Sequence, residues 1–433
     1  MKPVTSWNRI PALSPEGRLL LQEHQLPSDR QTPYPLLAHG NGRSYGDVCL
    51  TDQGTLLLTT ALDRFMLFDA STGVLRCESG ISLYAILQQI VPRGWFLPCT
   101  PGTGFATLGG ALANDVHGKN HHAAGSFGDH VRAFELLRSD GSRRVCTPTE
   151  NRDLFRATIG GLGLTGLITW VELQLMPVCG PWMWVESRRF ENLDAFWPLN
   201  AEAEAQWPYT VAWIDCLAGP RARGRGILFC GRHAPVQERP PRFSSSRLSV
   251  PLDPPVSLIN GLTLRCFNAL YYRQPTCPQG QLSHYRPYFY PLDAIRNWNR
   301  IYGRKGFYQY QCVLPPASAA DATGAILDAI AHSGEGSFLA VLKTFGNRPS
   351  PGMLSFARPG TTLALDFPNR GARTQALFRQ LDTLVAEAGG ALYPAKDARM
   401  PGELFRAGYP QWEAFSQYID PAFMSHFWKR VTT

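Results

Sequence analysis

Three glycine-rich loops constrain this chain more than any other feature of it. The first, Gly40-Asn41-Gly42-Arg43-Ser44-Tyr45-Gly46-Asp47, stands between short apolar runs at 34–39 and 55–60, which read as strand, loop, strand. The second lies within 102–128 and contains Thr107-Leu108-Gly109-Gly110-Ala111-Leu112-Ala113-Asn114. The third, Gly160-Gly161-Leu162-Gly163-Leu164-Thr165-Gly166, leads into a β-rich stretch at 167–175. Successive unhindered amides in a turn form a concave anion site without a helix, and glycine lets a ligand approach the backbone. Any one of these loops is most simply a turn. The three together, in this order, point to a long diphosphate cofactor held by backbone groups. The third loop carries Gly161-x-Gly163-x-x-Gly166, but 153–158 reads as helix and the segment after it as strand. A Rossmann NAD site needs the opposite order.

A length of 433 residues suggests two or three domains. The composition shifts after Pro177 toward aromatics, Pro and Arg, which places boundaries near 180 and 390 and divides the chain into 1–180, 181–390 and 391–433. Smaller elements are expected too: a helix at 81–92 capped by Ser82, a strand at 209–215, a helix at 318–332 and a loop at 273–287. The net charge of +8 comes from 42 Lys and Arg, of which only six are Lys. No basic block interleaved with aromatics is present, so nucleic acid is not expected as a partner. Between Pro220 and Arg247 there are seven Arg and one acid. That stretch reads either as a solvated face or as a contact for a phosphate-bearing substrate or an anionic membrane surface. The ten cysteines are spread singly, the closest pair eleven apart, so no metal site and no disulfide framework are expected. No apolar signal core follows Met1 and no run reaches the ~18–20 residues of a membrane span. The expected location is cytoplasmic.

The three loops resemble the FAD-binding signature of the vanillyl-alcohol-oxidase/p-cresol-methylhydroxylase flavoproteins. Within that superfamily, His117-Gly118-Lys119-Asn120-His121-His122 and Gly125-Ser126-Phe127-Gly128-Asp129-His130-Val131 resemble the oxidase subunits of decaprenylphosphoryl-ribose 2′-epimerases. Trp213-x-Asp215, Gly306-Phe307-x-Gln309-Tyr310-Gln311 and Ala395-Lys396-Asp397-x-Arg399 extend the resemblance, which runs from about residue 34 to the C-terminus. It implies an α+β, two-domain flavoprotein: an α+β FAD-binding domain and an antiparallel-sheet substrate (cap) domain.

The resemblance implies that FAD is held by Gly40, Asn41, Gly42, Arg43, Ser44, Tyr45, Thr103, Thr107, Gly109, Gly110, Asn114, His117, Gly118, Ile168 and Lys396. Some superfamily members bind FAD covalently through a His at the Arg43 position; Arg cannot do this, so the FAD is expected to be non-covalent. Lys119, Gln309, Gln311, Lys343, Phe345, Tyr393 and Trp213 are implied to bind substrate. Gln309 and Gln311 flank Tyr310 on an expected strand, so both amides face one side. Three of the six lysines, Lys119, Lys343 and Lys396, fall in the matched segments. Oxidation of a secondary alcohol also needs an acceptor for the hydroxyl proton, and Lys396, His117 and Tyr45 all qualify. One departure concerns Thr362 and Ala364, which stand where the relatives place Asn and Cys.

The implied reaction is oxidation of the 2′-hydroxyl of a polyprenyl-phosphate-linked ribose, with the keto sugar passed to a separate NADH-dependent keto-reductase and with peripheral contact at a membrane surface. The alternatives are a soluble sugar-lactone or alditol oxidase and a non-catalytic binder of anionic lipid or nucleic acid.

Overall fold

A computed structural model describes residues 4–27, 32–236, 243, 248–255 and 257–433. After a short antiparallel pair at Val4–Thr5 and Ala12–Leu13, a small parallel sheet forms from β1 (Gly17–Leu20), β2 (Leu36–His39) and β3 (Thr55–Leu58), with β3 in the middle. The first glycine loop is the crossover between β2 and β3, as its flanking apolar runs predict. Next come β4 (Phe65–Asp69), β5 (Val74–Glu78), α1 (Leu83–Ile90) and α2 (Leu108–Ala113). The Ser82 hydroxyl accepts the Ala85 N–H at 3.2 Å, so the expected cap forms and starts α1. Then β6 (Val131–Leu137), β7 (Arg143–Cys146), α3 (Arg152–Thr158) and β8 (Leu167–Gln174) complete a five-stranded antiparallel sheet, ordered β7-β6-β8-β5-β4. Ile86, Leu87, Leu108 and Leu112 from the two helices bury against Leu75, Phe134 and Val171 of that sheet. The third glycine loop joins α3 to β8, helix before strand, the reverse of a Rossmann turn.

The rest of the chain builds a larger antiparallel sheet from β9 (Trp182–Phe190), β10 (Tyr209–Ile214), β11 (Gly226–His233), β12 (Gln281–His284), β13 (Phe307–Leu314), β14 (Ala340–Phe345), β15 (Gly360–Pro368) and β16 (Ala391–Leu392). Its order is β12-β9-β11-β10-β14-β15-β13-β16. Between these strands run α4 (Leu193–Gln206), α5 (Gly261–Arg273), α6 (Ala319–Ser333) and α7 (Ala372–Glu387). Ile326 and Ile330 of α6 and Phe378 and Leu381 of α7 pack on Leu363 and Leu365 of β15, covering one face of the sheet. The opposite face turns toward the glycine loops.

Two expectations change. The stretch 273–287 is a loop only over 274–280. Beyond it β12 pairs with β9, and a short helix at Tyr285–Phe289 buries Tyr285, Tyr288 and Phe289. Those three rings recruit a segment whose Pro and Gly content reads as irregular. In the Arg-rich stretch, Arg239, Arg242 and Arg247 lie outside the described residues. Arg223 pairs with Asp328 at 2.8 Å, Arg225 with Asp215 at 2.9 Å, and Arg232 lies 4.9 Å from the Trp207 ring. These three are engaged within the protein, which leaves the phosphate-contact reading without support from them.

Candidate active site

A cavity of about 460 Å³, open on one side, separates the glycine loops from the uncovered face of the eight-stranded sheet. Side-chain alternation on the strands selects what enters it. Val211 and Trp213 come from β10, Gln309 and Gln311 from β13, Val341 and Lys343 from β14, and Thr362 and Ala364 from β15. Tyr310, between the two glutamines, turns the other way and donates its hydroxyl to Asp382 of α7 at 3.2 Å. The glycine loops supply Gly40 through Tyr45 from the first, Thr107, Gly109, Gly110 and Asn114 from the second, and Gly163 and Gly166 from the third. Thr103, His117, Gly118, Lys119, Ile168, Tyr393 and Lys396 complete the set anticipated from sequence.

Phe345 is the exception. It does not line the cavity but packs behind His117, with ring centroids 4.9 Å apart. It shares a face with Lys343, yet two residues further along β14 the wall is filled by the imidazole, so Phe345 supports His117 and has no surface toward a ligand.

The loops are held by contacts that only glycine permits. A side chain on Gly40 would meet the Thr107 hydroxyl at 2.4 Å, and one on Gly46, at φ +73°, would meet the Asp397 carbonyl at 1.5 Å. The Arg43 guanidinium lies 4.2 Å from the Trp7 ring centroid and 5.1 Å from that of Phe105. Asp293 accepts from the Thr103 hydroxyl and from the Gly104 N–H, both at 2.8 Å, and opposes the charge of Arg43. Sequence reasoning missed Asp293 because an isolated Asp between Pro291 and Ala294 carries no motif; it also missed Trp7 and Tyr271, which line the same cavity.

Cations dominate the interior. Lys343 donates to the Gly118 carbonyl at 2.7 Å, and Lys119 to the Tyr288 carbonyl. Burial pushes both ammonium groups down to about 7. Lys396 lies 3.9 Å from the Tyr45 ring centroid; burial lowers its affinity for a proton, and the charge of Asp366 partly restores it. Asp366, fully buried on β15, accepts from Gln309 at 2.6 Å and is pushed up by desolvation. The Gln311 amide nitrogen lies 3.1 Å from both His117 Nε2 and the Thr362 hydroxyl. Burial, followed by the charges of Lys343, His121 and Lys396, keeps His117 neutral. Burial pushes the Tyr45 phenol well above its ordinary value.

Among the described residues, four buried polar atoms of the cavity lining have no partner: Arg43 Nε, Ser79 Oγ, Asn114 Oδ1 and His117 Nδ1. Buried polar groups rarely stay unsatisfied, so four in the lining of one cavity mark a surface completed by a polar ligand. Together with the glycine cradle and the excess of cations, they fit the flavin ring, ribityl hydroxyls and diphosphate of FAD.

Comparison with known proteins agrees. Residues 30–147 match the FAD binding domain family. The chain is 36% identical over 400 residues to the decaprenylphosphoryl-β-D-ribose oxidase of Mycolicibacterium smegmatis, covering 89% of this chain and 86% of that one. It is 34% identical over 358 residues to an uncharacterized protein of the mprA 5′ region of Streptomyces coelicolor, covering 79% of this chain and 96% of that one. A putative D-arabinono-1,4-lactone oxidase of Neurospora crassa is 28% identical over 138 residues, or 32% of this chain and 24% of that one. The chain is an FAD-dependent oxidoreductase and belongs to the family of decaprenylphosphoryl-β-D-ribose oxidase.

Proposed function

We propose that the protein oxidises the 2′-hydroxyl of a polyprenylphosphoryl-β-D-ribose to the 2′-keto sugar, the first half of an epimerisation to the arabinose donor. The observation that carries this is the convergence of Lys119, Lys343 and Lys396 with the Gln311–His117 pair in one cavity. FAD supplies hydride acceptance when bound, held non-covalently by the three glycine loops, Arg43, Asn114 and Ile168. Lys119 and Lys343 place positive charge for the substrate phosphate, and Gln309, Gln311, Trp213 and Tyr393 orient the sugar.

Lys396 takes the hydroxyl proton, because burial already favours its neutral amine. His117 is less suited, since its Nε2 accepts from Gln311 and its Nδ1 then carries the hydrogen. Tyr45 would have to form a buried phenolate, which its surroundings oppose. Residues 1–180 and 391–433 serve FAD, and 181–390 the substrate. A separate NADH-dependent reductase then consumes the keto sugar, and the enzyme works in the cytoplasm against a membrane surface.

The test is anaerobic incubation of the purified flavoprotein with a short-chain prenylphosphoryl ribose. Flavin absorbance near ~450–460 nm should bleach. Bleaching by free alditols or sugar lactones, with none by the lipid-linked sugar, would establish a soluble sugar oxidase in its place.

A further inference from the structure

The helix α5 has two dissimilar faces. Leu264, Asn268 and Tyr271 point inward: Leu264 and Asn268 are buried, the Asn268 amide donates to Asp215 at 2.8 Å, and the Tyr271 ring leans on Trp213, tilted by 51° with centroids 4.5 Å apart. Tyr271 also lines the cavity, so the inner face of the helix is part of the site wall. The outer face carries an apolar stripe that none of the described residues covers. Leu262 is 74% exposed and Leu270 71%, with exposed Cys266 midway between them at i, i+4, i+8 spacing. Phe267 at 40% and Leu258, just before the helix, at 54% widen the stripe. The stripe is about 12 Å long at 1.5 Å per residue. A row of exposed leucines on the outside of a site wall is unusual for a solvated surface.

The charge around the stripe is of one sign. The helix sequence, GLTLRCFNALYYR, contains Arg265 and Arg273 and no acid. At its N-terminal end Asn260 borders a hollow of about 410 Å³ that is also lined by Arg304, Lys305 and Arg370. Arg370 pairs with Glu335 at 2.9 Å, but among the described residues Arg304 and Lys305 have no carboxylate within 4.0 Å. Apolar residues on one helix face, flanked by unpaired cations, suit the boundary between acyl chains and anionic headgroups.

We propose that the outer face of α5, with Leu258 and the Arg304–Lys305 hollow, docks on an anionic lipid bilayer, so that the cavity wall carrying Tyr271 lies against the membrane. The choice of a bilayer as occupant rests on the proposed lipid-linked substrate. Such a substrate has to leave the acyl layer to present its sugar, and a cavity wall formed by the docked helix shortens that path.

Flotation of the FAD-loaded full chain with phosphatidylcholine vesicles, with and without phosphatidylglycerol, tests this. The wild-type protein should float with the anionic vesicles, and less so as salt rises. The Leu262→Asp/Leu270→Asp variant should lose at least tenfold in partitioning while keeping the wild-type urea midpoint and flavin spectrum. Leu262→Met/Leu270→Met should still float, and Arg304→Glu/Lys305→Glu should lose the preference for phosphatidylglycerol. Absence of wild-type flotation, or equal flotation of the Asp variant, overturns the proposal. So does a dimer in light scattering that the Asp variant abolishes without any vesicle binding, because the face would then belong to a second copy. Bleaching by a water-soluble short-chain substrate separates the two readings. It should be equal in the wild-type protein and the Asp variant, and its failure in both would remove the substrate assignment while flotation still judged the docking face.

Discussion

Lys396 and Asp366 act on each other from inside the protein, and burial pushes each toward its neutral form. If the neutral Lys396 amine accepts the substrate proton, kcat/KM rises with pH through the ionisation of that lysine. Lys396→Met should remove this limb and slow flavin reduction by about 10²–10⁴-fold, the range of general-base catalysis, with FAD retained. Equal reduction rates in stopped flow would displace Lys396 from the mechanism. Asp366→Asn gives a second test with a definite sign. The negative charge of Asp366 holds the Lys396 proton on, so its removal lowers the lysine pKa further. The rising limb should then move to lower pH, by about one unit, while the maximal rate above it changes little. A limb that stays in place would make Asp366 only a hydrogen-bond partner of Gln309. Neither Asp366 nor Asp293 is visible as a site residue in the sequence, since a lone acid among apolar neighbours acquires meaning only when folding brings Lys396 or Arg43 beside it.

At the level of elements, the features that could be read in advance are those whose cause is local. The glycine loops are legible because close approach and left-handed backbone exclude other residues wherever they occur. Gln309 and Gln311 are legible because a strand repeats every two residues. The order of the eight-stranded sheet is not legible, since β13 joins β15 and β16 through pairings made only after helices of 15 and 16 residues have intervened. The displacement of Phe345 from the cavity has the same origin, because it depends on where a loop from residue 117 fills the end of β14. Gly46 tests the local argument. Alanine there would combine a strained φ of +73° with a Cβ only 1.5 Å from the Asp397 carbonyl, so the first loop must separate from the C-terminal segment. Gly46→Ala should cost at least about 2–3 kcal/mol and yield protein without bound flavin. Thermal melts and the absorbance spectrum report both effects, and a yellow variant of wild-type stability would show that the loop tolerates the shift.

Across the whole molecule, the C-terminal segment returns to the first glycine loop. Asp47 closes that loop and is buried. Both of its oxygens accept from Arg430, at 2.9 Å each, and one also pairs with His426 at 2.7 Å. Arg430 donates in addition to Asp397 at 2.8 Å and to the Met400 carbonyl at 2.6 Å. One guanidinium thus joins the first glycine loop, the segment that bears Lys396 and the C-terminal helix His426–Thr432. Burial alone would weaken its hold on the proton, but the two carboxylates more than offset this and raise its pKa above the ordinary arginine value. This junction gives a physical reason for the C-terminal segment to pack back on the N-terminal region, since the first glycine loop is completed by residues over 350 positions later. Arg430→Ala would strip two buried carboxylates of the guanidinium they share, leaving, among the described residues, Asp397 without a cation and Asp47 with His426 alone, a loss of about 3–5 kcal/mol. The expected result is a lower urea midpoint, with flavin released at lower urea than the main unfolding transition because the site loosens first. Arg430→Lys should recover only part of the loss, because a single ammonium cannot make the forked contact with Asp47 and reach Asp397 as well. If Arg430→Ala unfolds at the wild-type midpoint and keeps its flavin, the C-terminal helix is not what holds the loop.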